Sequence, residues 1–186
     1  MKNTEWEVLK AACNACTRCS LHQTRTNVVF GKGKENARVL FVGEAPGEQE
    51  DLSGMPFVGR AGKLLDTLLD EAGIPREDIY IANILKCRPP ENRDPLPAEE
   101  AACMEYLTTQ IRLLRPRAVV CLGRIAAARL IKKDFRITRE HGVWFAGDGY
   151  PITAIYHPAF VLRDPRKRGD VLADLAIIRN KLNEIL

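Results

Sequence analysis

Four positions that could serve hydrogen-bonding or acid–base chemistry follow directly on apolar runs of this chain: Glu44, Asn83, Gly123 and His157. The first lies in a five-residue turn, Gly-Glu-Ala-Pro-Gly, over 43–47. Glycine lets the backbone approach a ligand closely and proline fixes one dihedral angle. This turn can therefore point the Glu44 carboxylate and free backbone N–H groups into a crevice. An ordinary tight turn between a strand and a helix has the same composition, so the rest of the chain must decide between the two.

A second set of reactive side chains consists of cysteines. Cys16 and Cys19 form a C-x-x-C pair, while Cys87 stands beside prolines and Cys103 lies in the first turns of a predicted helix. A close pair with two distant single cysteines differs from the paired knuckles of a zinc ribbon. It can hold an iron–sulfur cluster, whose four iron corners each accept one thiolate. Cys13 also forms a C-x-x-C with Cys16, so the spacing leaves the close pair open, and buried apolar thiols are the alternative.

The elements that must position these groups are strands alternating with helices. Apolar runs predict strands at 38–43, 79–85, 117–123 and 152–156. Helices are predicted at 4–15, 61–72, 97–114 and 126–131, and from about 170 to the end, with Ile185 among its inward-facing residues. Such alternation indicates a parallel sheet covered on both faces. The carboxyl ends of parallel strands form the edge at which ligands bind, so Glu44, Asn83, Gly123 and His157 should meet there.

The connecting segments have their own signatures. Residues 48–59 are predicted to form a long polar and glycine-rich loop, and loops of that length in a compact domain are usually functional. Three prolines between 89 and 95 exclude regular structure in that segment. Residues 136–149 are predicted to form a small hairpin.

Size and composition predict one domain with one sizeable core, since the chain has 186 residues of which 46% are hydrophobic. The net charge of +4 is mildly basic, and its distribution is more informative. Basic residues concentrate in two predicted loops, at Lys86, Arg88 and Arg93 and again at Arg163, Arg166, Lys167 and Arg168. Such clusters suit a phosphate backbone, although a solvated basic surface has the same composition.

A membrane protein and a secreted protein are both disfavoured. No stretch approaches the roughly 20 apolar residues of a membrane span. The first residues run into a charged amphipathic segment without the apolar region of a signal peptide. We therefore expect a cytoplasmic protein, and in a reducing compartment its cysteines are better explained as metal ligands or buried thiols than as disulfides.

Taken in order, the motifs resemble those of the family-4 uracil-DNA glycosylases, iron–sulfur enzymes that remove uracil from DNA. The match spans roughly residues 13–180. It consists of the Gly-Glu-Ala-Pro-Gly turn, Pro-Phe-Val-Gly at 56–59, Asn-Ile-Leu-Lys-Cys-Arg-Pro-Pro-Glu-Asn-Arg at 83–93, the cysteines and His-Pro-Ala at 157–159. The resemblance implies a three-layer α/β/α fold with a central four-stranded parallel sheet.

The resemblance also implies a 4Fe-4S cluster that joins the N-terminal arm to the core. Its ligands would be Cys16, Cys19, Cys87 and Cys103. The family's close pair stands just before a residue-Leu dipeptide, as Cys19-Ser20-Leu21 does here. By the resemblance, Cys13 is therefore not a ligand.

The roles implied for the catalytic residues follow the chemistry of uracil release. His157 would donate a hydrogen bond to uracil O2, where negative charge develops. Asn83 would donate to O4 and accept from N3–H, a pattern that cytosine cannot match. Glu44 would activate the attacking water or stabilise the sugar cation, and the sequence does not decide between these two roles.

The resemblance assigns the remaining positions to binding. Gly43 and Ala45 belong to the turn that would place the water, and Phe57 would stack on the flipped base. Glu50 would fill the space beside uracil C5 and so exclude thymine, and Asn92 would support the pocket. Leu162 and Arg163 belong to a segment similar to the family's minor-groove wedge, Ala159-Phe160-Val161-Leu162-Arg163.

The expected partner is uracil-containing DNA, single- or double-stranded, bound by a monomer. Two other hypotheses come from different classes. A non-catalytic iron–sulfur module could bind DNA or sense redox state, and a cysteine-ligated zinc protein could use the same thiols. The presence of Glu44, Asn83 and His157 together favours the enzyme.

Overall fold

The computed structural model describes residues 2–184 and is organised around four five-residue strands that are almost entirely buried. The strands of the sheet are β1 (Lys32–Gly33), β2 (Val39–Gly43), β3 (Ile79–Asn83), β4 (Ala118–Leu122), β5 (Phe145–Ala146) and β6 (Pro151–Ile155). The helices are α1 (Lys2–Asn14), α2 (Glu48–Ser53), α3 (Arg60–Ala72), α4 (Pro97–Leu114), α5 (Arg124–Leu130), α6 (Ile137–Glu140), α7 (Pro158–Arg163) and α8 (Arg168–Glu184).

The sheet has the order β1-β3-β2-β4-β6-β5. Its central four strands are parallel, which confirms the predicted four-stranded parallel sheet. The edge strands β1 and β5 pair antiparallel with their neighbours and add two strands to the prediction. Each is only two residues long, too short for an apolar run to reveal it.

The layers follow from the alternation of side chains along each strand. In β2, Leu40 and Val42 pack into a cluster with α1, α4 and α5, whereas Val39 and Phe41 pack into a second cluster with α3, α7 and α8. Continuous apolar runs are expected when both faces of a strand are covered. The chain is therefore a three-layer α/β/α sandwich, as predicted.

Three local predictions are corrected by the structure. Residues 48–53 form α2 instead of a loop, because acidic residues occupy the first turn, where the helix dipole favours them, and Gly54 ends the helix in a left-handed conformation. The second strand ends at Asn83 and not at 85. The backbone N–H groups of residues 84 and 85 still donate to the carbonyls of Gly43 and Glu44. They do not extend the strand, because its neighbour β2 ends at Gly43.

The predicted hairpin at 136–149 is partly wrong. Its first residues form α6, whose N-terminus is closed by the Glu140 carboxylate accepting from the Arg136 N–H at 2.7 Å. A hairpin does form, but between β5 and β6. The prediction that Ile185 faces inward lies outside the described residues.

The N-terminal helix is held against the core by aromatic contacts. The Trp6 ring forms T-shaped contacts with Phe30 and Tyr80 at centroid distances of 5.4 Å each. The Tyr106 hydroxyl of α4 donates to the Ala12 carbonyl at 3.2 Å. In the part of the chain that the structure describes, no helix combines the length and the apolarity needed to cross a membrane.

Candidate active site

A cavity of about 440 Å³ opens at the carboxyl ends of the parallel strands. Its lining includes Glu44, Asn83 and His157, which confirms the prediction that these three residues meet at this edge of the sheet. Gly123 packs against the His157 side chain instead of lining the cavity. The three side chains lie together because β2, β3 and β6 are parallel. Each of these strands ends at its polar residue or one to two residues before it.

Asn83 is the last residue of β3 and is only 1% exposed. Its Oδ1 is buried and has no hydrogen-bond partner, a condition that it shares, among the described side chains, with Trp144 Nε1 alone. Leaving a buried acceptor unpaired costs about 1–3 kcal/mol. Asn83 lines the cavity, so a ligand bound there that donates a hydrogen bond could satisfy this acceptor.

Gly43 leaves the space that the Asn83 amide occupies. A Cβ atom at this position would lie 2.3 Å from Asn83 Oδ1 and 2.9 Å from the Phe57 ring, distances that no side chain tolerates. The absence of a side chain at Gly43 thus allows the amide and the ring to approach one another.

The Phe57 ring forms one wall of the cavity, 5.8 Å from the His157 ring. Its φ of 54° is in the left-handed region, which is strained for a bulky residue. Glu50 maintains this conformation, because its Oε1 accepts from the backbone N–H groups of Val58 at 2.9 Å and Gly59 at 2.8 Å. The wall is therefore built before any ligand binds.

His157 presents a hydrogen-bond donor to the cavity. Its Nδ1 accepts from the Ala159 N–H at 3.0 Å at the start of α7, so the ring proton is carried by Nε2. Burial, reinforced by the charge of Arg163, lowers the pKa of His157 to about 4. The imidazole is consequently neutral at physiological pH.

Glu44 contributes to the cavity a carboxyl group whose pKa is shifted towards neutrality. Burial and the nearby charge of Asp94 raise the pKa of Glu44 to about 7, against a smaller opposing effect of Arg124. A carboxyl group with a pKa near neutrality can exchange a proton during a reaction. Asp94 itself lines the cavity, and no sequence pattern singled it out, because only the folded proline loop brings it beside Glu44.

The remaining predicted residues occupy the rim and the walls. Ala45, Glu50, Asn92 and Arg163 line the cavity. The carboxylate of Glu50 is engaged by the backbone amides of the Phe57 loop. Asn92 has a φ of 54° and its Oδ1 accepts from Arg88 Nε at 2.8 Å. Leu162 lies on α7 beside the rim and is 39% exposed.

The basic cluster predicted at 86, 88 and 93 is partly wrong. Lys86 is buried, because α4 and the segment before β1 cover it. Arg93 pairs with the buried Glu99 at 2.7 Å. Phe160, which the sequence did not single out as a pocket residue, lines the cavity and stacks on Tyr156 at 5.5 Å between ring centroids.

The cysteines of the N-terminal arm and the core surround a second, much smaller cavity of about 10 Å³: Cys13, Cys16, Cys19, Cys87 and Cys103. All are free thiols. Two sulfur atoms receive N–H donors, since Arg25 Nη1 lies 3.2 Å from Cys87 Sγ and the Lys86 N–H lies 3.3 Å from Cys103 Sγ. Such donors are typical of sulfur ligands that carry negative charge.

The arrangement of these thiols bears on what they could hold. Within residues 2–184, no three Cys, His, Asp or Glu side chains are placed to hold one metal ion. A zinc ion needs its ligands to converge on one point, whereas a 4Fe-4S cluster takes one thiolate at each iron.

Comparison with known proteins shows what the chain is similar to. The model of the uracil DNA glycosylase superfamily matches residues 30–178. The type-4 uracil-DNA glycosylase of Archaeoglobus fulgidus is 49% identical over 168 residues, which cover 86% of this chain and 84% of that protein. The type-4 enzyme of Thermotoga maritima is 46% identical over 162 residues, or 85% and 83% of the two chains. A type-5 uracil-DNA glycosylase of Pyrobaculum aerophilum is 33% identical over 144 residues, or 68% and 63%.

Proposed function

Because the chain belongs to the uracil-DNA glycosylase superfamily, we propose that its cavity receives a uracil flipped out of DNA and that its side chains hydrolyse the N-glycosidic bond. The products would be free uracil and an abasic site. The observation that carries this proposal is the unpartnered Oδ1 of Asn83, a residue that lines the same cavity as the neutral imidazole of His157.

The edge of uracil matches the donors and acceptors of this cavity. Its N3–H would donate to Asn83 Oδ1, and its O4 would accept from the Asn83 amide nitrogen. Cytosine has an acceptor at N3 and a donor at C4, so both contacts would become repulsive. Phe57 offers a fixed aromatic face on which the base can stack.

The chemistry of bond cleavage follows from the same groups. When the bond between the sugar C1′ and uracil N1 breaks, its electron pair stays on uracil and the sugar becomes cationic. The neutral His157 N–H would stabilise the negative charge at O2 as an oxyanion-hole donor. Water then adds its oxygen to C1′ and loses a proton, which ionised Glu44 can accept or which the uracil anion takes up. Gly43 and Ala45, on either side of Glu44, would shape the backbone around that water.

Flipping a base costs a few kcal/mol, which contacts to the DNA must offset. Arg163 on the rim suits a phosphate, and the exposed Leu162 beside it suits a wedge between base pairs. Glu44, Asn83 and His157 all line one cavity within a single chain. We propose that this chain, folded as a single domain, acts as a monomer.

The four thiols Cys16, Cys19, Cys87 and Cys103 would hold a 4Fe-4S cluster. When bound, the cluster would supply a covalent link between the arm that follows α1, the loop after β3 and helix α4. Cys13 lines the same cavity but belongs to α1 and is only 1% exposed. We propose that it packs as an apolar thiol.

Measuring the iron content of variants distinguishes the proposed cluster ligands from Cys13. Purified under anaerobic conditions, the wild-type chain and Cys13→Ala should each contain about four iron atoms with matching sulfide. Cys87→Ala should lose the visible absorption of the cluster, and its N-terminal arm should be cut faster by a protease, because the arm loses its link to the core. One zinc per chain and a featureless visible spectrum would contradict the cluster.

The test of the proposed function is uracil release. The iron-loaded chain is incubated with oligonucleotides that differ only in carrying uracil, cytosine or thymine at one position, and alkali then breaks any abasic site. Strand cleavage should occur with uracil alone, and in Asn83→Ala it should be strongly slowed but still measurable in long single-turnover incubations. DNA binding without cleavage would favour the non-catalytic iron–sulfur module.

The rate of excision should depend on pH through Glu44. Both of its proposed roles need the ionised carboxylate, and its pKa is raised to about 7. The single-turnover rate should therefore rise as the pH increases from 6 to 8, with a midpoint near 7, because deprotonation produces the active form. Glu44→Gln should be slow and should lack this rise. A wild-type profile that is flat across this range would contradict the assignment.

A further inference from the structure

Lys86 is an unusual residue for the interior of a protein. It is 1% exposed and lies three residues after Asn83 and one before Cys87. Lysine is almost never fully buried unless it is paired. The Lys86 ammonium donates to two neutral oxygens, the Asn83 carbonyl at 3.0 Å and Gln110 Oε1 at 2.6 Å.

These contacts are part of a longer connection. Gln110 lies on α4, is 0% exposed, and donates through Nε2 to the Phe30 carbonyl at 2.9 Å. The backbone of Lys86 is also fixed, since its carbonyl accepts from the Val29 N–H at 2.8 Å. The side chain thus folds back over its own turn and ties the end of β3 to α4 and to the segment before β1.

The energetic cost of this arrangement suggests a role beyond packing. Moving an ammonium out of water costs several kcal/mol, and an apolar side chain of the same volume is often as stable or more stable in such a place. In return, a charged donor makes stronger hydrogen bonds than a neutral one. Lys86 makes these bonds to Gln110 and to the carbonyl of Asn83, the residue with the unpartnered side-chain oxygen.

We propose that Lys86 is a positioning residue that holds the Asn83 peptide so that the Asn83 amide stays aimed at the flipped base. The inference rests on the proposed function. The Asn83 side chain has no protein partner at Oδ1, so no hydrogen bond at that atom fixes its direction and the position of its backbone matters more. The peptide group between Asn83 and Ile84 is held at both of its polar atoms. Its N–H, from Ile84, donates to the Gly43 carbonyl at 2.9 Å. Its carbonyl, from Asn83, accepts from the Lys86 ammonium at 3.0 Å.

Lys86→Met tests this proposal, because methionine fills a similar volume with no donor. Single-turnover excision of uracil should slow by roughly 100-fold, the scale of effect seen when a reacting group is misplaced by about 1 Å. The affinity for DNA and the iron content should not change, since the backbone N–H to Cys103 and the surface are preserved. Lys133→Met, at an exposed position, is the matched control and should behave as wild type.

A double-mutant cycle separates positioning from general destabilisation. If Lys86 acts through Asn83, then Lys86→Met should cause no further loss in the Asn83→Ala background. Equal losses in both backgrounds, or a wild-type rate for Lys86→Met, would overturn the proposal. Should Lys86→Met lack a cooperative melting transition, Gln110→Leu takes its place in the cycle under the same criteria. A wild-type chain that releases no uracil would instead refute the proposed function.

Discussion

Replacing His157 by alanine should slow uracil excision by about 10²–10³-fold, the usual effect of removing one oxyanion-hole donor. The imidazole is neutral and its proton is on Nε2, because Nδ1 is engaged by the Ala159 N–H and burial lowers the pKa of His157 to about 4. It would therefore stabilise the leaving uracil by a hydrogen bond and not by a full positive charge.

The measurement is single-turnover release of uracil with enzyme in excess, together with a direct titration of DNA binding. Binding should be retained in His157→Ala, since the contact proposed for this residue is with the flipped base alone. His157→Gln, which keeps a neutral N–H donor, should retain part of the rate. If His157→Ala excised uracil at the wild-type rate, a different group would have to stabilise the leaving base.

Replacing Gly43 by alanine should reduce excision by about 10²-fold or more, because one methyl group would occupy the place of the Asn83 amide. The new Cβ would lie 2.3 Å from Asn83 Oδ1 and 2.9 Å from the Phe57 ring, so both walls of the uracil site would have to move. Overpacking of this kind also costs about 1–3 kcal/mol of folding stability.

Gly169→Ala is the matched control, since a Cβ at that position in α8 meets nothing within 4 Å. It should leave both excision and the melting temperature close to wild type. The two variants differ from wild type by the same methyl group, so a selective loss in Gly43→Ala would locate the effect at the recognition site. Equal activity of both would contradict the assignment of Asn83 to base recognition.

The main elements of the fold could be predicted because they depend on local patterns. Continuous apolar runs reveal strands that are buried on both faces, and the stripe of leucines in α3 reveals its inner face. The two edge strands and α2 could not be predicted, because no local sequence pattern marks them. They are short, and each is stabilised by a neighbour or a glycine and not by a pattern of its own.

The candidate site, too, could be predicted only in part. Glu44, Asn83 and His157 could be brought together because parallel strands carry their ends to one edge. The environment of each group could not be predicted. Asp94, which raises the pKa of Glu44, approaches it only through an irregular proline loop. Lys86 looked like one of several basic loop residues, and nothing in its neighbours along the chain indicates that it is buried.

Because the pKa of Glu44 is raised, the protonation state that the proposed reaction needs is not the one that stabilises the fold. A carboxyl group that binds its proton more tightly in the folded chain than in the unfolded chain stabilises the fold below its unfolded pKa, and this contribution is lost as the pH rises through the folded value of about 7. Ionised Glu44, which the proposed reaction needs, therefore contributes less to folding stability than protonated Glu44 does. Other interactions of the fold must therefore supply the stability that this position does not contribute at neutral and higher pH.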